Sequence, residues 1–155
     1  LSALSHLNAK WDIMADVTWT GWSKFQDLKI VRDNGTTLND TIENWHDTMR
    51  YSVGVSYQYN DKLKLRSGVA FDEEAIDDQY RTARIPGNDR TWLAFGASWQ
   101  AFEHDAIDVG YTHVFIKDAS VNDNQNTPQQ GFSGNLVGQY QGQVDILSAQ
   151  YTHKF

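Results

Sequence analysis

A set of charged side chains recurs on the polar side of alternating segments: Asp12, Asp16, Arg50, Lys64, Arg66, Asp72, Arg90, Asp108 and Lys154. Two chemistries fit such a set. The charges can neutralise one another, with Arg66 and Arg90 against Asp72 and Asp89 at the centre of the network. Alternatively, one or two of Arg50, Arg66 and Arg90 can grip the carboxylate of an anionic ligand through bidentate, charge-assisted hydrogen bonds. Trp92 falls on the same polar side and joins these three arginines as a candidate ligand contact.

Other chemistries find little support. Glu73, Glu74, Asp77 and Asp78 form an acidic run, but the ligand spacing and central glycine of a calcium-binding loop are missing. A solvated run, bridging divalent ions to lipopolysaccharide, is the expected use. The five histidines show no paired metal-ligand spacing, and cysteine is absent, so neither a metal centre nor thiolate chemistry is expected. Ser, His and Asp occur without a Gly-x-Ser-x-Gly elbow, which argues against a hydrolase and leaves the expectation of a non-enzyme without a cofactor. A formal net charge of −7 disfavours a nucleic-acid partner.

The elements that position these residues are strands, whose side chains point to alternate faces. Trp11, Ile13, Ala15, Val17 and Trp19 oppose Lys10, Asp12, Asp16, Thr18 and Thr20. Met49, Tyr51, Val53, Val55, Tyr57 and Tyr59 oppose Arg50, Ser52, Gly54, Ser56 and Gln58. Leu63, Leu65, Val69 and Phe71 oppose Lys64, Arg66, Gly68 and Asp72. Leu93, Phe95, Ala97 and Trp99 oppose Ala94, Gly96, Ser98 and Gln100, and Ile107, Val109, Tyr111 and Phe115 oppose Asp108, Gly110 and Thr112. A sixth strand begins between Asn135 and Val144 and ends with Leu147, Ala149, Tyr151 and Phe155 on its apolar face. His113 and His153 interrupt the apolar faces, which points to a bulge or a rim position for His113.

Connections alternate in length. Asn60-Asp61 and 102–106 are short, while 23–47, 73–90 and 117–133 are long. Outer-membrane β-barrels have short periplasmic turns and long external loops. Aromatics fall at strand ends. Trp11 and Trp19 are eight residues apart, or about 20 Å along the normal at ~3.3 Å per residue and ~40° tilt. That matches two interfacial belts around an apolar band roughly 25 Å tall. No apolar run reaches the ~20 residues of a spanning helix. A negative mean hydropathy does not exclude a barrel, because alternation hides its lipid face. A soluble sandwich would alternate too, but its core would favour Val, Ile and Leu over strand-end Trp and Tyr.

Four runs carry a family resemblance: Trp22-Ser23-Lys24-Phe25-Gln26-Asp27-Leu28, Leu65-Arg66-Ser67-Gly68-Val69-Ala70-Phe71-Asp72, Arg84-Ile85-Pro86-Gly87-Asn88-Asp89-Arg90-Thr91-Trp92-Leu93 and Asp108-Val109-Gly110-Tyr111. In this order they resemble the carboxyl-terminal part of the FadL family of outer-membrane long-chain fatty acid transporters. The resemblance implies an all-β, antiparallel transmembrane barrel of fourteen strands plugged by an amino-terminal hatch. Residues 1–155 would supply about six C-terminal strands, with the hatch and earlier strands outside this sequence. An extra hairpin from Phe25 to Arg32 and Leu38 to Glu43 would instead allow a small eight-stranded barrel.

The implied function is passive movement of long-chain fatty acids or similar hydrophobic compounds through the plugged barrel, in a multi-pass protein of the bacterial outer membrane. Expected partners are that ligand, outer-membrane lipid and lipopolysaccharide, and the barrel insertion machinery acting through Phe155. The alternatives are a small adhesin or structural barrel, with an Asn- and Gln-rich loop from Val121 to Gly131, and an outer-membrane lipid enzyme.

Overall fold

The computed structural model describes residues 1–124 and 134–155, with Asn39 described by its backbone alone. Nine strands follow in order: β1 Ser2–His6, β2 Trp11–Thr20, β3 Asp27–Val31, β4 Thr37–Ile42, β5 Thr48–Asn60, β6 Leu63–Asp72, β7 Arg90–Phe102, β8 Asp105–Asn124 and β9 Asn135–His153. β1, β2, β5, β6, β7, β8 and β9 pair antiparallel in that order as one seven-stranded sheet. β1 and β9 are its free edges. No cis peptide bond interrupts the described chain.

The sheet has one strand more than the alternation reveals. β1 sets Ala3 and Ser5 on one side and Leu4 and His6 on the other, so its polarity carries no usable period. Pairing fixes it instead. The register Ala3↔Ala15 is reinforced by His6 Nδ1 lying 2.6 Å from Asp12 Oδ1. The turns after β1 and β5 use one device. Asn8 Oδ1 accepts the amides of Lys10 and Trp11 at 2.9 and 3.1 Å, and Asn60 Oδ1 accepts those of Lys62 and Leu63, both at 2.9 Å. Such Asx turns satisfy amides that the ladder leaves over.

The hairpin in the first long connection exists, but it does not extend the sheet. β3 and β4 form a separate two-stranded sheet, turning at Gly35, whose φ of +82° suits glycine. The eight-strand closure therefore does not occur. The third long connection is also different from expectation. β8 and β9 run for 20 and 19 residues, so the ladder continues far past a bilayer, about 50 Å along the normal at ~40° tilt. A register shift between Ile116 and Ala119 marks where the longer strands leave the band of their neighbours. Most of the Asn- and Gln-rich stretch expected to cap that connection lies in 125–133, outside the described residues.

Register assigns the faces. Ala15, Val53, Val69, Leu93 and His113 are paired in succession, as are Ile13, Val55, Ser67, Phe95 and Tyr111. No second sheet covers this side among the described residues: Val53, Val69 and Phe95 are 51%, 53% and 51% exposed. That is the arrangement of a lipid-facing surface and the opposite of a sandwich core. Trp11 stacks on Tyr57 at the short-turn end, with ring centroids 4.4 Å apart, and Trp19, Tyr51, Phe71 and Phe115 stand exposed towards the long connections.

Candidate functional site

The opposite face reads as rows across the sheet. From the long-connection end downward, the first row is Thr18, Arg50, Asp72, Arg90 and Ile116, and the second is Asp16, Ser52, Ala70, Trp92 and Val114. The third is Met14, Gly54, Gly68, Ala94 and Thr112, and the fourth is Asp12, Ser56, Arg66, Gly96 and Gly110. Small residues at the centre of rows two to four leave space that the long side chains of their neighbours cross.

Two of the three candidate arginines are occupied. Arg90 lies 3.9 Å from its cross-strand neighbour Asp72. Arg66 reaches across β7 to Asp108, 3.8 Å away. Gly96 makes that crossing open: a Cβ there would sit 3.9 Å from the Arg66 Cβ and 3.4 Å from the Val109 carbonyl. Asp89, the other expected acid, pairs with Lys117 at 3.2 Å rather than with an arginine. These pairs are long and partly solvated, so they fix geometry more than they stabilise.

Arg50 is different. Its guanidinium passes over Ala70 and rests on the face of Trp92, 5.3 Å from the ring centroid. Among the described residues no carboxylate lies within ion-pair range of it. Beneath the pair is a hollow of about 690 Å³, floored by Gly54, Gly68, Ala70 and Ala94 and walled by Met14. A glycine at 68 is required by packing, since a Cβ would stand 3.2 Å from the Val53 carbonyl oxygen. Trp92 carries one further signal: its Nε1 is buried with no hydrogen-bond partner among the described residues. The structure thus joins Arg50 to Trp92 and separates both from Arg66.

The second long connection, 73–89, folds over this face rather than away from it. Arg81 anchors it. Its side chain is 2% exposed and donates to the carbonyls of Gly87, Ser120 and Ile76 at 3.0, 3.0 and 3.2 Å, with Asp78 as its counter-ion. The acidic run does not converge. Glu73 accepts the Met49 amide at 2.7 Å, Asp77 faces His46 at 3.8 Å, and Asp78 takes Arg81. Glu74 packs against Gly87 and Arg90, and burial raises its pKa above the ordinary glutamate value despite Arg90 and Arg81 nearby. No group of three or more acids or histidines is placed to hold a metal ion among the described residues.

Sequence reasoning missed two features, both on β8 and β9. Val114, Ile116, Val144 and Ile146 point to the polar side and form an aliphatic patch there. Its signal is the run Val114-Phe115-Ile116, which is apolar on both faces. On the outward side, Asp145 accepts the Tyr111 hydroxyl at 2.7 Å and lies 2.7 Å from His113 Nδ1. The same trio recurs where Tyr151 donates to Asp105 at 2.5 Å and His153 Nδ1 lies 2.8 Å from it. The repeat is legible as Asp105 before Tyr111-Thr112-His113 and Asp145 before Tyr151-Thr152-His153, at identical spacing on antiparallel neighbours. His113 therefore needs no bulge. It stays in regular register and is matched by an aspartate.

Comparison with known proteins adds three findings. Residues 1–155 match the family described as outer membrane protein transport protein (OMPP1/FadL/TodX). The chain is 34% identical to the long-chain fatty acid transport protein of Escherichia coli over 124 residues, 79% of this chain and 28% of that protein. It is 38% identical to a 47 kDa outer membrane protein of Pasteurella multocida over 62% of this chain and 22% of that one. The crystal structure of a Pseudomonas aeruginosa FadL homologue superposes with a TM-score of 0.89 at 27% identity, covering 98% of this chain and 34% of that chain. The chain spans about a third or less of the length of these relatives.

Proposed function

The chain belongs to the outer membrane protein transport protein family (OMPP1/FadL/TodX), and from that premise we propose that its parent barrel carries long-chain fatty acids or similar hydrophobic compounds across the bacterial outer membrane. Residues 1–155 supply barrel wall, with the Arg50 face towards the lumen and the Val53 face towards lipid. Movement is passive, down a concentration gradient, past a plug contributed by other parts of the barrel. No covalent step is involved.

The observation that carries this reading is Arg50. It is a lumenal guanidinium laid on Trp92 above a floor of small residues, with no carboxylate of its own. Such a group can accept the head of a fatty acid while the hollow takes hydrocarbon. Arg66 and Arg90, already paired with Asp108 and Asp72, keep the wall in register and leave the ligand to Arg50. The contact must be modest, because a transported molecule has to leave.

The test compares oleate with the neutral alcohol of the same chain, using the full-length barrel in detergent. A charge-assisted hydrogen bond is worth ~1.5–3 kcal/mol, so Arg50→Ala should weaken oleate about tenfold to a hundredfold. The alcohol should change little. Equal losses for both ligands, or no loss for oleate, would remove Arg50 from the path.

A further inference from the structure

A second hollow of about 460 Å³ lies on the lumenal side, nearer the long connections. Its roof is Ile85 and Pro86 of the 73–89 connection, and its floor is the aliphatic patch of Val114, Val144 and Ile146. Arg84 and Lys117 stand at its rim, and Trp92 and Ile146 also line the 690 Å³ hollow below. The roof is held down firmly. Besides the Arg81 bonds, Asn88 Nδ2 donates to the Asp118 carbonyl at 2.8 Å, and the Lys117 amide donates to the Asp89 carbonyl at 2.9 Å.

We infer that this hollow is a separate binding station at the outer mouth for the hydrocarbon chain of an amphipathic monoanion. The inference rests on the transport reading above and names a place that reading does not need. Polarity is the first argument. A barrel wall puts apolar residues towards lipid and polar ones towards the lumen, yet β8 and β9 invert this locally. Tyr111, His113 and Asp145 face outward while Val114, Ile116, Val144 and Ile146 face inward. Aliphatic side chains gathered on a lumenal face leave water only if something apolar meets them.

Charge is the second argument. Arg84 is exposed and has no acidic partner among the described residues, and Lys117 holds Asp89 from a largely solvated position. An anionic head at that rim and a chain along Val114, Val144 and Ile146 would point the chain end at Trp92. The indole then forms the wall shared by the two stations. Its buried, unpartnered Nε1 sits at the junction of a route from the mouth to Arg50.

The test uses the full-length barrel and palmitate carrying a diazirine at its chain terminus. Photolysis should attach label to Ile85, Val114, Val144 or Ile146, and Val144→Trp should abolish that label by filling the hollow. Each methylene excluded should weaken capture roughly fourfold. Arg50→Ala should leave these mouth labels in place. Label confined to Met14, Ala70 and Ala94, and lost with Arg50→Ala, would overturn the inference while the transport reading stood. Failure of palmitate to bind anywhere would sink both. The sequence has no cysteine, so Val144→Cys provides a second readout. Rapid modification by a small maleimide in ligand-free barrel, slowed by palmitate, is expected; complete protection without palmitate would show the hollow filled by another part of the protein and overturn the inference.

Discussion

Arg81 offers the sharpest test of how the second long connection is held over the lumenal face. Its guanidinium is buried and donates to three backbone carbonyls on two different elements, Ile76 and Gly87 in the connection and Ser120 on β8. Arg81→Ala removes a buried cation and strands those carbonyls and Asp78. Each lost charged hydrogen bond is worth ~1.5–3 kcal/mol, but the desolvation that the arginine no longer suffers offsets part of the sum. A net loosening of about 3–5 kcal/mol follows, confined to the connection. At ~1.4 kcal/mol per tenfold, open forms should become between about a hundred and a few thousand times more populated. Amide hydrogen exchange reads this directly in the full-length barrel. The amides of Tyr80 and Ile85, bonded within the connection at 2.9 and 3.3 Å, should exchange faster. Ladder amides such as Val69 and Leu93 should not. Arg81→Lys should recover only part of the protection, since an ammonium cannot span three carbonyls in a plane. Unchanged exchange at Tyr80 and Ile85 would show that the connection is held by something other than Arg81.

Three further outcomes are expected. Val53→Arg, on the outward face between Ala15 and Val69, should cost ~2–4 kcal/mol in urea unfolding from bilayers, and an unchanged free energy would place Val53 away from lipid. Burial raises the pKa of Glu74, so the folded connection binds that proton more tightly than the open one. Its docking should therefore be strongest below the ordinary glutamate value and weaken as pH rises through the folded pKa; a fluorophore on Ala83→Cys should report this, and Glu74→Gln should flatten the profile. Asp145→Ala frees both Tyr111 and His113, so it should lower the urea midpoint, and Tyr111→Phe should add little in that background. Full additivity would mean the trio is not a unit.

Alternation made most of the wall legible because lipid imposes a strict rule on one face. β2, β5, β6 and β7 obey it residue by residue, from Trp11 through Trp99. β1 was illegible because its position comes from pairing with β2, and Leu4 and His6 on its inner side break the polarity rule. The outer halves of β8 and β9 were read as loop since they stand beyond the bilayer, where Asn, Gln and Asp are tolerated on both faces. Among the site candidates, parity alone set Arg50, Arg66, Arg90 and Trp92 on one face. It could not say which arginine lacks a carboxylate, because that depends on which side chains cross Ala70 and Gly96. The patch at Val114 escaped notice for a related reason: an apolar residue facing the lumen is invisible to a rule that expects it to face lipid.

The account turns on whether the Arg50 face lines a path for hydrophobic anions. The direct measurement is initial uptake of radiolabelled oleate by cells without their own transporter, expressing the full-length barrel and normalised to the amount inserted in the outer membrane. The account predicts uptake above the empty-cell rate, reduced severalfold or more by Arg50→Ala at equal insertion. Correctly inserted barrels that take up no oleate, or that take it up equally with and without Arg50, would contradict it.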